Sequence, residues 1–180
     1  SIYCLSQIPR SEIIKKVSYS TIKGDKLELM DSVVLQINER MGDNDTRITI
    51  PYQKGEKISI DAWIEDVQGN IVRKLKNKEI EDRSNISSSS LYQDFFVKIF
   101  ELKHNTYPYR VVYSWRKTTS KFLSLVSFDY ADYRTKIRSG ILHVETPLSK
   151  SIAYEQENMK LLGIDTLLNS IRYTWTYSHN

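Results

Sequence analysis

Nucleophilic catalysis needs a thiol, hydroxyl or amine held within reach of a base, and this chain offers few candidates. Cys4 is the only thiol, and His104, His143 and His179 are the only imidazoles. No Gly-x-Ser-x-Gly turn exposes a serine, and no cysteine-centred signature surrounds Cys4. Cys4 therefore reads as a free thiol near a frayed terminus. Metal chemistry is equally poorly supplied. The histidines are widely spaced and no His-Glu-x-x-His occurs. His143 and Glu145 would point the same way from a strand, but two ligands do not make a structural zinc site. Gly42-Asp43-Asn44-Asp45 carries carboxylates without the glycine and distal glutamate of a helical calcium loop. It reads as a hairpin turn between strands ending near Ile37 and beginning near Arg47. No glycine-rich turn opens a helix to receive a phosphate. The sequence thus predicts no catalytic, cofactor-binding or metal-ligating residue, no cofactor, and no enzyme in the chain itself.

Aromatic residues are the one suggestive resource: twelve tyrosines and three tryptophans in 180 residues. Tyr173, Trp175 and Tyr177 alternate with Arg172, Thr174 and Thr176, so a strand would line them along one face. Trp63 lies between Asp61 and Glu65, opposite its strand's aliphatic residues, and Tyr113 and Trp115 share a further strand face. Such rings offer large rigid contact area to a sugar or peptide. They equally fill a sandwich core or a contact with a neighbouring domain, and burial is the commoner use of large aromatics. Trp63, Tyr113, Trp115, Tyr173, Trp175 and Tyr177 are the candidate binding or interdomain residues.

The elements that must position these rings follow a period of two. Residues 27–37 alternate as Leu27, Leu29, Asp31, Val33, Leu35 and Ile37 against a mixed opposite face. The pattern recurs at Ile48 and Ile50, and at Ile58, Ile60, Ala62 and Ile64. Gly69-Asn70 then separates that run from residues 71–75, a hairpin signal because glycine tolerates the positive φ of tight turns. Residues 91–102 are apolar on both faces, with Leu91, Phe95, Val97 and Ile99 on one and Tyr92, Phe96 and Phe100 on the other. That predicts a strand inside a sheet, covered on both sides. The turn Asn105-Thr106-Tyr107-Pro108 leads into residues 109–116 and suggests an antiparallel pair. Arg73, Lys74, Lys76 and Lys78, followed by Glu79, Glu81 and Asp82, read as a solvated edge protected by lysines. Serines at 87–90 continue a polar loop. Later strands are expected at 133–137, 141–144 and 172–177, and only residues 151–168 leave room for a helical turn.

Composition sets the outer bounds. A 180-residue chain with 40% hydrophobic and 27% charged residues is one globular domain, here read as 1–180 with residues 1–20 a peripheral leading strand. A net charge of +4, dispersed along the sequence, argues against nucleic acid as a partner. No apolar run approaches the roughly 20 residues of a membrane-spanning helix. The sum is an all-β, antiparallel β-sandwich, immunoglobulin-like or larger, with little helix.

Residues 52–115 carry a family resemblance. Tyr52, Ile58-Ser59-Ile60-Asp61-Ala62, Asp66-Val67-Gln68-Gly69-Asn70, Leu75, Ile80-Glu81-Asp82-Arg83-Ser84 and Ser90-Leu91-Tyr92-Gln93-Asp94 occur in order. Lys98, Phe100-Glu101-Leu102, Tyr107-Pro108 and Val112-Tyr113 follow. This stretch resembles the domain of unknown function that precedes transglutaminase-like domains in exported bacterial proteins, chiefly of Bacteroidetes. The resemblance implies a β-sandwich module at the amino-terminal end of a longer protein of the periplasm or cell envelope of a Gram-negative bacterium. Its partner would be the downstream transglutaminase-like domain, which holds the Cys-His-Asp machinery, and no residue here matches that triad. A glycan or peptide partner is the alternative that the aromatic residues leave open.

Overall fold

The computed structural model describes residues 8–84, 95–122, 124–125 and 135–179. Among them eleven strands occur: β1 (Ser11–Lys23), β2 (Lys26–Ile37), β3 (Arg47–Gln53), β4 (Lys57–Glu65), β5 (Ile71–Lys74) and β6 (Glu81–Ser84) in the first half. β7 (Phe95–Glu101), β8 (Tyr109–Thr119), β9 (Lys136–Pro147), β10 (Lys160–Thr166) and β11 (Ser170–His179) complete the set. Eight form one sheet in the order β10-β11-β9-β1-β2-β8-β4-β5, and three form a second in the order β3-β7-β6. The expected all-β sandwich is what the chain builds.

Period-two alternation accounts for the strands, and two turns account for the hairpins. Gly24 adopts φ +65° between β1 and β2, where the tight connection needs a left-handed residue. The Gly69-Asn70 signal places β4 against β5 as read. There the Asp66 carboxylate accepts the backbone N–H groups of Gln68 at 2.9 Å and Asn70 at 2.8 Å, and Gly69 sits at φ +88°. The Asn70 side-chain amide, donating to Asp66 at 2.9 Å, is the first cause, and with the backbone bonds it holds the Asp66 carboxyl below its usual range. β5 is the exposed, lysine- and arginine-bearing edge that its composition suggested.

Five expectations need correction. Residues 42–45 do not close a hairpin: a 3-10 segment, Arg40–Thr46, carries the chain from β2 in the large sheet to β3 in the small one. Likewise β7 and β8 are not a pair, since the turn at Tyr107-Pro108, which holds a cis peptide, crosses back between sheets. The leading strand is not peripheral, because β1 lies between β9 and β2. It runs parallel to β9, so the sandwich is mixed rather than wholly antiparallel. Residues 151–159 form no helical turn; they take no regular structure and lead into β10. β7 is central in its sheet as expected, with Val97, Ile99 and Phe100 buried, although Phe95 remains exposed. Cys4, the serines at 87–90, Leu91, Tyr92 and the first residues of the strand expected at 133–137 lie outside the described residues.

The two sheets meet through the first of two cores. Ile50 and Phe100 of the small sheet pack on Leu35, Ile37, Ala62, Ile64, Tyr109 and Val111 of the large one. The second core, Leu142, Val144, Tyr173 and Trp175, occupies the other end of the large sheet.

Candidate functional site

Register alone sorts the candidate aromatics between the two faces of the large sheet. Trp175 pairs with Leu142, Leu142 with Ser18, Ser18 with Asp31, Asp31 with Trp115, and Trp115 with Ile60. Side chains opposite one another share a face, so this row crosses six strands on the side that carries both cores, the small sheet covering one end of it. Tyr113, Tyr173 and Tyr177 belong to the same side by alternation. Trp63, three residues from Ile60, is on the opposite side. It is half-buried, and its indole N–H donates to Glu65 at 2.7 Å. Tyr113 and Trp115 pack against the first core, Tyr113 edge-on to Phe100 with centroids 6.0 Å apart.

The carboxy-terminal aromatics are buried, Tyr173 and Trp175 of them in the second core. Tyr173, Trp175 and Tyr177 are 9%, 4% and 4% exposed, so they present no open stacking platform. Tyr177 lies on Gly140, where a Cβ would come 2.2 Å from the ring, and the glycine is what lets the ring settle on the sheet. Trp175 stacks on Tyr173 at 5.9 Å, and Tyr154 meets both rings edge-on. The Trp175 indole N–H donates to the Gln156 side chain at 3.0 Å. Residues 151–159 thus form a strap over β9 and β11. Between strap and sheet runs a cleft of about 760 Å³ with Ile22, Leu142, Val144 and Trp175 along its floor and Lys150, Glu155 and Glu157 on its rim. Its size and its few polar rim groups suit a small organic ligand.

Among the polar constellations elsewhere in the described residues, four bear on function, none announced by local sequence. Tyr107 and Tyr109 donate their hydroxyls to the two oxygens of Asp43 at 2.7 Å and 2.6 Å. Burial and that bond push the Tyr109 hydroxyl far up; for Tyr107 the Asp43 bond dominates. On the small sheet, Asp82 accepts from Tyr52 and Lys98, and the Lys98 ammonium lies 5.4 Å over the Tyr52 ring. Desolvation, then Asp82, raises Tyr52 to about 12, while Lys98 and Tyr52 hold Asp82 low. Glu145 accepts from Ser170 at 2.7 Å and from Arg172 at 2.9 Å, which keeps it ionised.

The fourth is, among the described residues, the nearest approach to a nucleophile and base: His143 Nδ1 lies 3.0 Å from Thr174 Oγ1, and its ring stacks on Tyr19 at 4.7 Å. His143 and Glu145 do share a face, yet Glu145 is spent on Ser170 and Arg172. Among the described residues no carboxylate bonded to His143 orients its ring, and the pair does not line the strapped cleft. Burial, reinforced by Arg172, holds His143 below its ordinary value of 6.5. The unfolded chain therefore binds more protons in that range, and stability must rise with pH there. Lowering the pH from about 7 to about 5 is expected to depress Tm, and His143→Gln to flatten that dependence. Equal slopes for the two proteins in differential scanning fluorimetry would refute it. No cluster of three or more His, Cys, Asp or Glu able to hold a metal occurs among the described residues. No helix among them is long and apolar enough to cross a membrane.

Two stacked β-sheets, with their aromatic residues turned largely inward and a strapped cleft at one end, define the class of domain. The chain belongs to DUF3857, a domain of unknown function with a solved structure, whose profile matches residues 27–180. The resemblance read over residues 52–115 is thus to a domain of unknown function and extends over most of the chain. Among solved structures, a putative protease from Parabacteroides distasonis shares the fold with a TM-score of 0.82 at 12% identity. The alignment covers 95% of this chain and 36% of that one, so the chain spans about a third of its neighbour's length. Weaker likenesses reach an aminopeptidase A of Legionella pneumophila (TM-score 0.41, 11% identity, 97% of this chain and 20% of that one). A yeast LTA4 hydrolase is similar at TM-score 0.43 and 8% identity over 99% of this chain and 32% of that one. No curated protein matches the sequence.

Proposed function

We propose that this chain is a non-catalytic accessory module of a longer exported protein. It would position a downstream transglutaminase- or protease-like domain, or contact an envelope polymer, in the periplasm or cell envelope of a Gram-negative bacterium. The observation that carries the reading is the match of nearly the whole chain to 36% of a longer protein described as a putative protease. In that protein this fold is one part among others. The polar constellations support the reading, because their side chains hold strands and turns together instead of facing a shared cleft. The isolated 180-residue chain is expected to show no peptide hydrolysis and no acyl transfer to amines. Turnover that persists in Cys4→Ala and in histidine variants would overturn the proposal.

A second reading places a glycan or peptide in the strapped cleft. It is favoured by the size of that cleft and by the Gln156 and Tyr154 contacts that tie the strap to Trp175, so that a ligand moving the strap would change the indole's surroundings. Tryptophan fluorescence titrated with oligosaccharides and short peptides should then respond, and Trp175→Phe should abolish the change. A flat response across both panels rejects this reading.

A further inference from the structure

Three separate stretches of chain converge at one end of the large sheet. They are Lys26 at the start of β2, the β3–β4 turn from Gln53 to Lys57, and the end of β8 with Ser120 and Lys121. Lys57 pairs with Thr118 and Leu27 with Thr119, so register fixes two of these junctions. Gly55, at φ +90°, makes the intervening turn possible. Between the stretches opens a cleft of about 370 Å³, bordered by Lys26, Lys54, Lys57 and Lys121.

Its charge is unbalanced. The one carboxylate in the lining, Glu56, is already engaged by the Gln53 backbone N–H at 2.8 Å and by Lys117 at 3.7 Å. Nearby Glu28 is taken by Lys23 and Arg116. None of the four lysines bordering the cleft has an ion-pair partner among the described residues. Four lysines against one glutamate give the lining three net positive charges, where the whole chain carries +4. A charge excess that looks dispersed along the sequence is gathered by the fold into one concavity. A cleft of single sign focuses the field and concentrates counter-ions.

We propose that this cleft binds a phosphate-bearing ligand. Ammonium groups act as point charges suited to a compact, multiply charged phosphate, whereas planar carboxylates are better matched by arginine forks, and no arginine lines this cleft. The Thr118, Thr119 and Ser120 positions add hydroxyls to the wall. The site is distinct from the strapped cleft and stands whether or not the chain is an accessory module.

Isothermal titration of the full 180-residue chain with inorganic pyrophosphate tests it, beside flotation with vesicles of phosphatidylglycerol in phosphatidylcholine. Pyrophosphate binding that weakens with added salt is expected. Lys54→Glu combined with Lys57→Glu should weaken it by about tenfold or more. Lys74→Glu with Lys78→Glu, the same charge change at the β5 edge, should alter it by less than about twofold. Circular dichroism verifies that both double variants fold. Vesicle binding that pyrophosphate competes away assigns a lipid headgroup as the source of the phosphate, and pyrophosphate binding without vesicle binding assigns a soluble one. Absence of both at millimolar ligand, or equal weakening by the two double variants, overturns the proposal.

Discussion

Replacing Asp43 by alanine is expected to lower the unfolding free energy by about 2–4 kcal/mol. That magnitude follows from Tyr109, which is fully buried and gives its hydroxyl to Asp43 at 2.6 Å. A hydrogen bond to a charged acceptor contributes about 1.5–3 kcal/mol, and a buried hydroxyl left without a partner adds a desolvation cost of its own. The loss also loosens the crossover, because Asp43 belongs to the 3-10 segment that carries β2 into β3. That segment has little room to readjust: a Cβ on Gly42 would come 2.3 Å from the Arg10 carbonyl oxygen. Urea denaturation of the wild type, Asp43→Ala and Asp43→Asn measures the effect, with asparagine retaining an acceptor and losing less. Adding Tyr109→Phe to Asp43→Ala should recover part of the stability, since it removes the orphaned hydroxyl. A loss below about 0.5 kcal/mol for Asp43→Ala would show that the clamp contributes nothing.

Trp175→Ala should cost about 3–5 kcal/mol, the range for emptying a large aromatic site in a core that collapses only partly. Trp175 has these neighbours at its end of the sheet: Tyr173 by stacking, Tyr154 edge-on, Leu142 by register and Gln156 by hydrogen bond. Removing it leaves the strap without its main contact, so cleavage by trypsin at Lys150 should accelerate together with the fall in Tm. Trp175→Phe keeps most of the packing and should lose about 1 kcal/mol, the Gln156 bond. A Trp175→Ala protein that melts at the wild-type temperature, with Lys150 still protected, would contradict this account of the second core.

Local alternation in the sequence discloses strands far better than it discloses partners. The β4–β5 hairpin was legible because Gly69-Asn70 determines its own geometry through close neighbours, the Asp66 carboxylate above all. The crossings at 40–46 and 105–108 were not. A short polar turn looks the same whether the chain folds back on itself or passes to another sheet, and the deciding groups are distant: Asp43 meets Tyr107 and Tyr109 across 64 and 66 residues. The aromatic stripe on β11 was visible and burial was its favoured use, but what covers it was not legible, because the cover comes from residues 151–159, whose Ile152, Tyr154 and Met159 follow no period. The lysine cleft was hidden for the same reason. Its members are scattered from 26 to 121, and only the fold brings their charges together.

The parallel pairing of β1 with β9 also has a bearing on the order of assembly. β1 finds β2 across a two-residue turn, but its other neighbour arrives far later in the chain; Glu12 and Arg138, bonded across that ladder, are 126 residues apart. As the chain emerges, β1 therefore keeps one edge unsatisfied until β9 arrives, and closure of that ladder is a late, high-contact-order event. A nascent chain of this design has reason to be met by a chaperone before its second half emerges.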